Sequence, residues 1–165
     1  MQRIAIVGPP GSGKTTLARQ VSERTGIEVV HLDRSFFGPG WRETPDTEWR
    51  AAHQRLLANE AWIMDGTYAD TIDDRLAVAD TVITLEFTRW RCLVRVLRRI
   101  LRHYGQDVQA PGCPEKLSLE FLRYVWRFPT DHQPEIDAAI ERHHSNLTVV
   151  RLANNTETTQ FLASL

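Results

Sequence analysis

Ile4-Ala5-Ile6-Val7-Gly8-Pro9-Pro10-Gly11-Ser12-Gly13-Lys14-Thr15-Thr16 joins an apolar run, a glycine-rich turn and the first residues of a segment with helical periodicity. The spacing Gly-x4-Gly-Lys-Thr is met by Gly8, Gly13, Lys14 and Thr15, the signature of a loop that cradles phosphate groups between a strand and a helix. Glycines let backbone N–H groups converge on phosphate oxygens, and the helix N-terminus adds its positive dipole end. This reading assigns Gly8, Pro9, Pro10, Gly11, Ser12, Gly13, Lys14, Thr15 and Thr16 to nucleotide phosphates. Lys14 is expected to reach the β- and γ-phosphates, and the Thr15 hydroxyl to ligate Mg²⁺.

Working outward, four further apolar runs bounded by turn residues predict strands over 28–32, 62–65, 81–87 and 148–152, in addition to the one over 3–7. Most are continuous rather than alternating, as in strands covered on both faces. Helical periodicity occupies 14–24, 47–59, 90–104, 118–127, 134–144 and 157–165. The alternation predicts an α/β fold with a parallel, doubly wound sheet. The stretches 36–44, with Gly38-Pro39-Gly40, and 105–114, with Pro111-Gly112-Cys113-Pro114, interrupt the regularity and mark binding loops or lids. A length of 165 residues suits one domain over 1–165.

Composition narrows the partners. A formal net charge of −1 gives no global attraction to nucleic acid or anionic lipid, and no apolar run is long enough to span a bilayer. The N-terminal run leads into a glycine loop without a small-residue cleavage site, so a cytoplasmic chain is expected. Cys92 and Cys113 lack the spacing of a zinc or redox site and are read as reduced thiols. The charge is uneven, however: Arg89, Arg91, Arg95, Arg98, Arg99 and Arg102 lie within fourteen consecutive positions with no acidic residue among them, all but Arg89 in the helix predicted over 90–104.

Two acids are candidates for chemistry. Asp65 ends the run Trp62-Ile63-Met64-Asp65, where a carboxylate holds Mg²⁺ directly or through water, or caps the next turn. Asp33, at the end of the second predicted strand, is placed to accept an acceptor's hydroxyl proton, or serves as a turn or N-cap aspartate. His31 has no partner at metal-ligand spacing and is assigned to packing. Phe36, Phe37 and Trp41 read either as an acceptor wall or as core.

These motifs together resemble the adenylate-kinase-related P-loop kinases. Gly8 to Thr15, His31-Leu32-Asp33, Pro39-Gly40-Trp41, Trp62 to Gly66 and Gly112-Cys113-Pro114-Glu115-Lys116 resemble in particular the bacterial DNA topology modulation (FlaR-like) proteins. The resemblance implies a three-layer P-loop NTPase fold with strand order 2-3-1-4-5, a short lid at about 105–117, ATP as donor and Mg²⁺ as cofactor. It also implies that lid arginines close over the transferring phosphate. Arg95 and Arg99 are the first candidates, one helical turn apart on one face; Arg98 with Arg102, and Arg123 with Arg127, are further pairs, and a solvated basic face is the alternative. Thr67-Tyr68 follows Asp65-Gly66 where adenylate kinases carry Phe-Pro-Arg, a departure on the monophosphate side.

The expected function is Mg·ATP-dependent phosphoryl transfer to a nucleotide, nucleoside or other small acceptor, by a monomer or homodimer. The alternative is a regulatory ATP-binding or weak ATPase protein acting through nucleic acid, for which the arginine helix is the one candidate surface. A GTPase switch is disfavoured by the lack of an Asn-Lys-x-Asp motif.

Overall fold

Apolar side chains at successive positions of a strand point to opposite faces, so a strand that is apolar throughout must be covered twice. The first strand, β1 (Arg3–Val7), does this: Ile4 and Ile6 join one core, Ala5 and Val7 the other, and all four are fully buried. A computed structural model describes residues 1–165. Its elements in chain order are β1, α1 (Lys14–Thr25), β2 (Val29–His31), α2 (Leu32–Phe36), β3 (Phe37–Gly38), β4 (Arg42–Glu43), α3 (Asp46–Leu57), β5 (Trp62–Asp65), α4 (Ile72–Val78), β6 (Thr81–Leu85), α5 (Arg89–His103), α6 (Leu119–Asp131), α7 (Gln133–His143), β7 (Thr148–Leu152) and α8 (Asn155–Ala163).

Five strands form one parallel sheet in the order β2-β5-β1-β6-β7. The sheet's own strands therefore run 2-3-1-4-5. Counted over every strand of the chain the order differs, because the antiparallel hairpin of β3 and β4 intervenes outside the sheet. One core packs Trp49, Leu76, Ile136 and Ile140 of α3, α4 and α7 beneath the sheet; the other packs Leu17, Val21, Val96 and Leu162 of α1, α5 and α8 on the opposite face. This is the α/β P-loop fold, with helices on both faces.

The structure corrects three boundaries. The strand expected over 28–32 stops at His31, and Leu32 and Asp33 begin α2. A run as short as Val29-Val30-His31-Leu32 is ambiguous between strand and buried helix, and here Leu32 is buried in helical conformation. The segment 66–80, to which the sequence assigns no element, contains α4, a helix of only 7 residues. The helix expected over 118–127 runs on to Asp131, through Pro129.

Candidate active site

The turn after β1 ends at Gly13, whose left-handed backbone (φ 104°) precedes α1, and no side chain caps that helix. The donors of the first turn are left for an external acceptor, here one of negative charge. Glycine is required in the loop for space as well as for conformation. A Cβ on Gly8 would meet the Leu85 carbonyl oxygen at 2.6 Å, and one on Gly11 the Cys92 carbonyl oxygen at 2.4 Å. The loop is thus wedged against the end of β6 and against α5.

Lys14 Nζ donates to the carbonyl oxygens of Gly8 (2.8 Å) and Pro9 (3.0 Å). Burial pulls the ammonium pKa down, opposed by the charges of Asp65 and Asp33. A cation enclosed this way, without a direct carboxylate contact, suits an anionic ligand. The carbonyl of Pro9 serves Lys14, while the Pro9 side chain lies outside the main cleft; the other phosphate-loop residues line it.

Thr15 Oγ1 donates to Asp65 Oδ2 at 2.7 Å, and His31 Nδ1 sits 3.0 Å from the same oxygen. The parallel register of β2 and β5 places His31 beside Asp65. His31, assigned to packing from sequence, therefore has a polar partner. Burial alone raises the Asp65 pKa; the His31 contact, the Lys14 charge and the Thr15 hydroxyl outweigh it and hold the carboxyl below its ordinary value. The ionised carboxylate and the threonine hydroxyl form a hard-oxygen pair that fits Mg²⁺, which takes few protein ligands and completes its shell with phosphate and water. No cluster of three or more His, Cys, Asp or Glu ligands exists that would suit a wholly protein-bound ion.

Asp33 lies in the first turn of α2 and caps no helix. Its Oδ1 accepts from Tyr68 OH at 2.6 Å. With the Gln109 amide oriented to satisfy its neighbours, Gln109 Nε2 donates to Asp33 Oδ2 (3.1 Å) and its oxygen accepts from Arg99 Nη2 (2.7 Å). Arg99 Nε in turn pairs with Glu115 at 2.9 Å. Burial, then the Asp33 charge, pushes the Tyr68 phenol far above its ordinary pKa, so it remains a donor. The Thr67 hydroxyl donates to the Gly8 carbonyl (2.8 Å) and accepts from the Gly8 amide (3.2 Å). Residues 67 and 68 thus tie the phosphate loop to Asp33.

That tie is braced from beneath by Arg75, which is fully buried and donates to the carbonyls of Gly66 (2.9 Å), Thr67 and Tyr68 (3.3 Å). Burial pushes its pKa down to about 10. The brace accompanies a left-handed backbone at Tyr68 (φ 41°), uncommon for a residue with a side chain.

Of the arginines, Arg95 donates to the Ser12 carbonyl (2.8 Å), lies 5.1 Å from the Phe87 ring centroid and lines the cleft, as does Arg99. Arg98 and Arg102 are exposed and lie outside it, as does Arg123, and Arg127 pairs with Asp131 at 2.8 Å. One cleft of about 1090 Å³ contains Lys14, Asp33, Asp65, Arg95 and Arg99 together, with Phe36, Phe37 and Trp41 on its wall. Sequence reading missed Thr67, Tyr68, Gln109 and Arg75, whose partners lie 7 to 76 positions away; only the Thr67-Tyr68 departure pointed there.

The AAA domain family matches residues 4–113. The chain is 36% identical over 84 residues to a tRNA dimethylallyltransferase of Xanthomonas euvesicatoria pv. vesicatoria, which covers 48% of this chain and 26% of that protein. It is 32% identical over 80 residues to an adenylate kinase of Pseudarthrobacter chlorophenolicus, covering 48% of this chain and 40% of that one. The chain thus spans less than half the length of these relatives. Among solved structures, shikimate kinase from Acinetobacter baumannii in complex with shikimate superposes with a TM-score of 0.62 at 19% identity, covering 99% of this chain and 90% of that one. A deoxyadenosine kinase from M. mycoides superposes with a TM-score of 0.52 at 14% identity, over 98% and 96% of the two chains. At these identities the likeness is one of fold.

Proposed function

This chain belongs to the AAA domain family, and from that premise we propose that it is a Mg·ATP-dependent phosphotransferase acting on a small acceptor. One observation carries the reading: the phosphate loop and Asp33 open onto the same cleft, close enough for the Asp33 charge to bear on Lys14. A carboxylate across from the phosphate loop is what a kinase acting on a hydroxyl uses to orient its acceptor and take the proton. The adenylate kinase among the relatives and the shikimate kinase among the structural neighbours agree with phosphoryl transfer, whereas the tRNA dimethylallyltransferase is named for a different transfer. The departure at Thr67-Tyr68 argues against a nucleoside monophosphate as acceptor.

In this reading the loop amides and Lys14 hold the β- and γ-phosphates, and Arg95 and Arg99 close over them. Thr15 and Asp65 would hold Mg²⁺, which when bound neutralises phosphate charge and orients the γ-phosphoryl group. Asp33 takes the acceptor proton, and Tyr68 fixes which of its oxygens is free to do so. The narrower kinship with DNA topology modulation proteins rests on the motifs around Asp33, Trp41 and Glu115 and belongs to the same proposal. A regulatory role through nucleic acid draws on Arg98 and Arg102, which are exposed and outside the cleft; it predicts DNA affinity that falls steeply with salt.

The test is ADP release as Mg²⁺ is titrated. Asp65→Asn keeps the shape of the side chain and loses its charge, so its Mg²⁺ requirement should rise about 10- to 100-fold, the usual scale for a disturbed metal site, with ATP binding less affected. An unchanged Mg²⁺ dependence would return Asp65 to capping a turn.

A further inference from the structure

The two halves of the cleft differ in charge. On the phosphate side stand Lys14, Arg95 and Arg99. On the other side, α2, the hairpin and the segment after β5 contribute Asp33, Glu43 and Asp70 to the lining, with Arg34 as their one arginine or lysine. Helix α6 adds Phe121, Tyr124 and Phe128, followed by His132 at its C-terminal cap, while its arginines lie outside the cleft. A phosphomonoester acceptor would bring about two further negative charges to three carboxylates and one guanidinium. The acceptor side is built for something else.

What it offers is an aromatic wall. Phe36 meets Tyr68 and Phe37 at centroid distances of 4.8 Å each, and Phe37 meets Trp41 at 5.2 Å. Such a wall takes a flat ring by stacking or a cation by its π faces. Between wall and phosphate loop lies the Gln109 carboxamide, with its nitrogen donating to Asp33 and its oxygen accepting from Arg99. A donor toward Asp33 joined to an acceptor toward Arg99 is also the pattern of an alcohol hydroxyl meeting a phosphoryl oxygen. The lid glutamine holds the place of the reacting pair.

We propose that the acceptor is an alcohol without any anionic group, its body on the aromatic wall and its hydroxyl in the seat that Gln109 holds between Asp33 and Arg99. This rests on the phosphotransferase reading above. In the transfer, the alcohol oxygen bonds to the γ-phosphorus, the bond from that phosphorus to the β,γ-bridging oxygen breaks with its electron pair leaving on ADP, and the hydroxyl proton passes to the Asp33 carboxylate. In the absence of acceptor, Gln109 keeps water from the seat.

The experiment measures ADP release by the full chain with Mg·ATP and three probes: adenosine with uridine, their 5′-monophosphates, and ethanolamine with choline. Stimulation of at least tenfold by the nucleosides or by the amino alcohols, and not by the monophosphates, is expected; nucleosides mark a planar body, amino alcohols a cationic one. Preference for the monophosphates overturns the inference and leaves the kinase reading standing, whereas no stimulation by any probe counts against both. Gln109→Ala should raise acceptor-independent hydrolysis severalfold as water enters the seat. Unchanged basal hydrolysis in a variant with wild-type melting overturns the assignment of Gln109.

Discussion

Lys14→Ala is expected to weaken ATP binding about 100-fold or more, because removing one member of an enclosed, charge-assisted contact costs about 2–5 kcal/mol. The fold should survive. Lys14 Nζ makes its hydrogen bonds only to the carbonyls of Gly8 and Pro9, and its lowered pKa marks a cation that folding desolvates rather than stabilises. The alanine variant therefore loses little that the unliganded protein depends on. Isothermal titration with ATP, alongside a thermal melt, separates the two quantities. Wild-type affinity in a properly folded variant would remove the phosphate loop from the account.

Asp33→Asn should lower acceptor-dependent turnover by about 10²- to 10⁴-fold, the range of a positioned general base. Asparagine keeps an oxygen for the Tyr68 hydroxyl, which donates to Asp33 at 2.6 Å, so the geometry of the loop is retained while the proton acceptor is lost. ATP affinity should barely change, since Asp33 reaches Lys14 only through its charge. An acceptor phosphate, already deprotonated, needs no base. With such an acceptor the loss would be smaller and would fall mainly on acceptor binding. Comparing kcat and KM for one preparation of the variant, with its ATP affinity, distinguishes these cases.

Much of the fold is written locally. The five sheet strands carry largely apolar runs bounded by turn residues, and the loop after β1 carries its glycines and lysine at fixed spacing, so both are legible without tertiary information. The i, i+4 relation of Arg95 and Arg99 likewise needs only the helical period, and both line the cleft. What escaped is the short and the non-local. Helix α4 has 7 residues and two adjacent aspartates, too few for a period to show. The end of β2 was hidden because Leu32 is apolar in either conformation.

The partners of Asp33 depend on chain segments that the fold alone brings together. Tyr68 is 35 positions from Asp33 and Gln109 further still, and nothing in a stretch such as Gln106-Asp107-Val108-Gln109 marks one amide as functional. Arg75 is less legible again. A lone arginine in Asp73-Asp74-Arg75 suggests a surface ion pair, yet it is fully buried beneath three backbone carbonyls. The charge difference between the halves of the cleft emerges only once the lining is known, because Arg123 and Arg127 share a helix with Tyr124 and Phe128 but not a face.

The central claim is that the γ-phosphorus of ATP ends on an acceptor oxygen other than that of water. ³¹P NMR of the full chain with Mg·ATP and a stimulating alcohol follows that atom directly. The account predicts a new phosphomonoester resonance growing in step with ADP and nearly lost in Asp33→Asn. Inorganic phosphate as the sole product, formed at the same rate by the wild type and the Asp33→Asn variant, would contradict it.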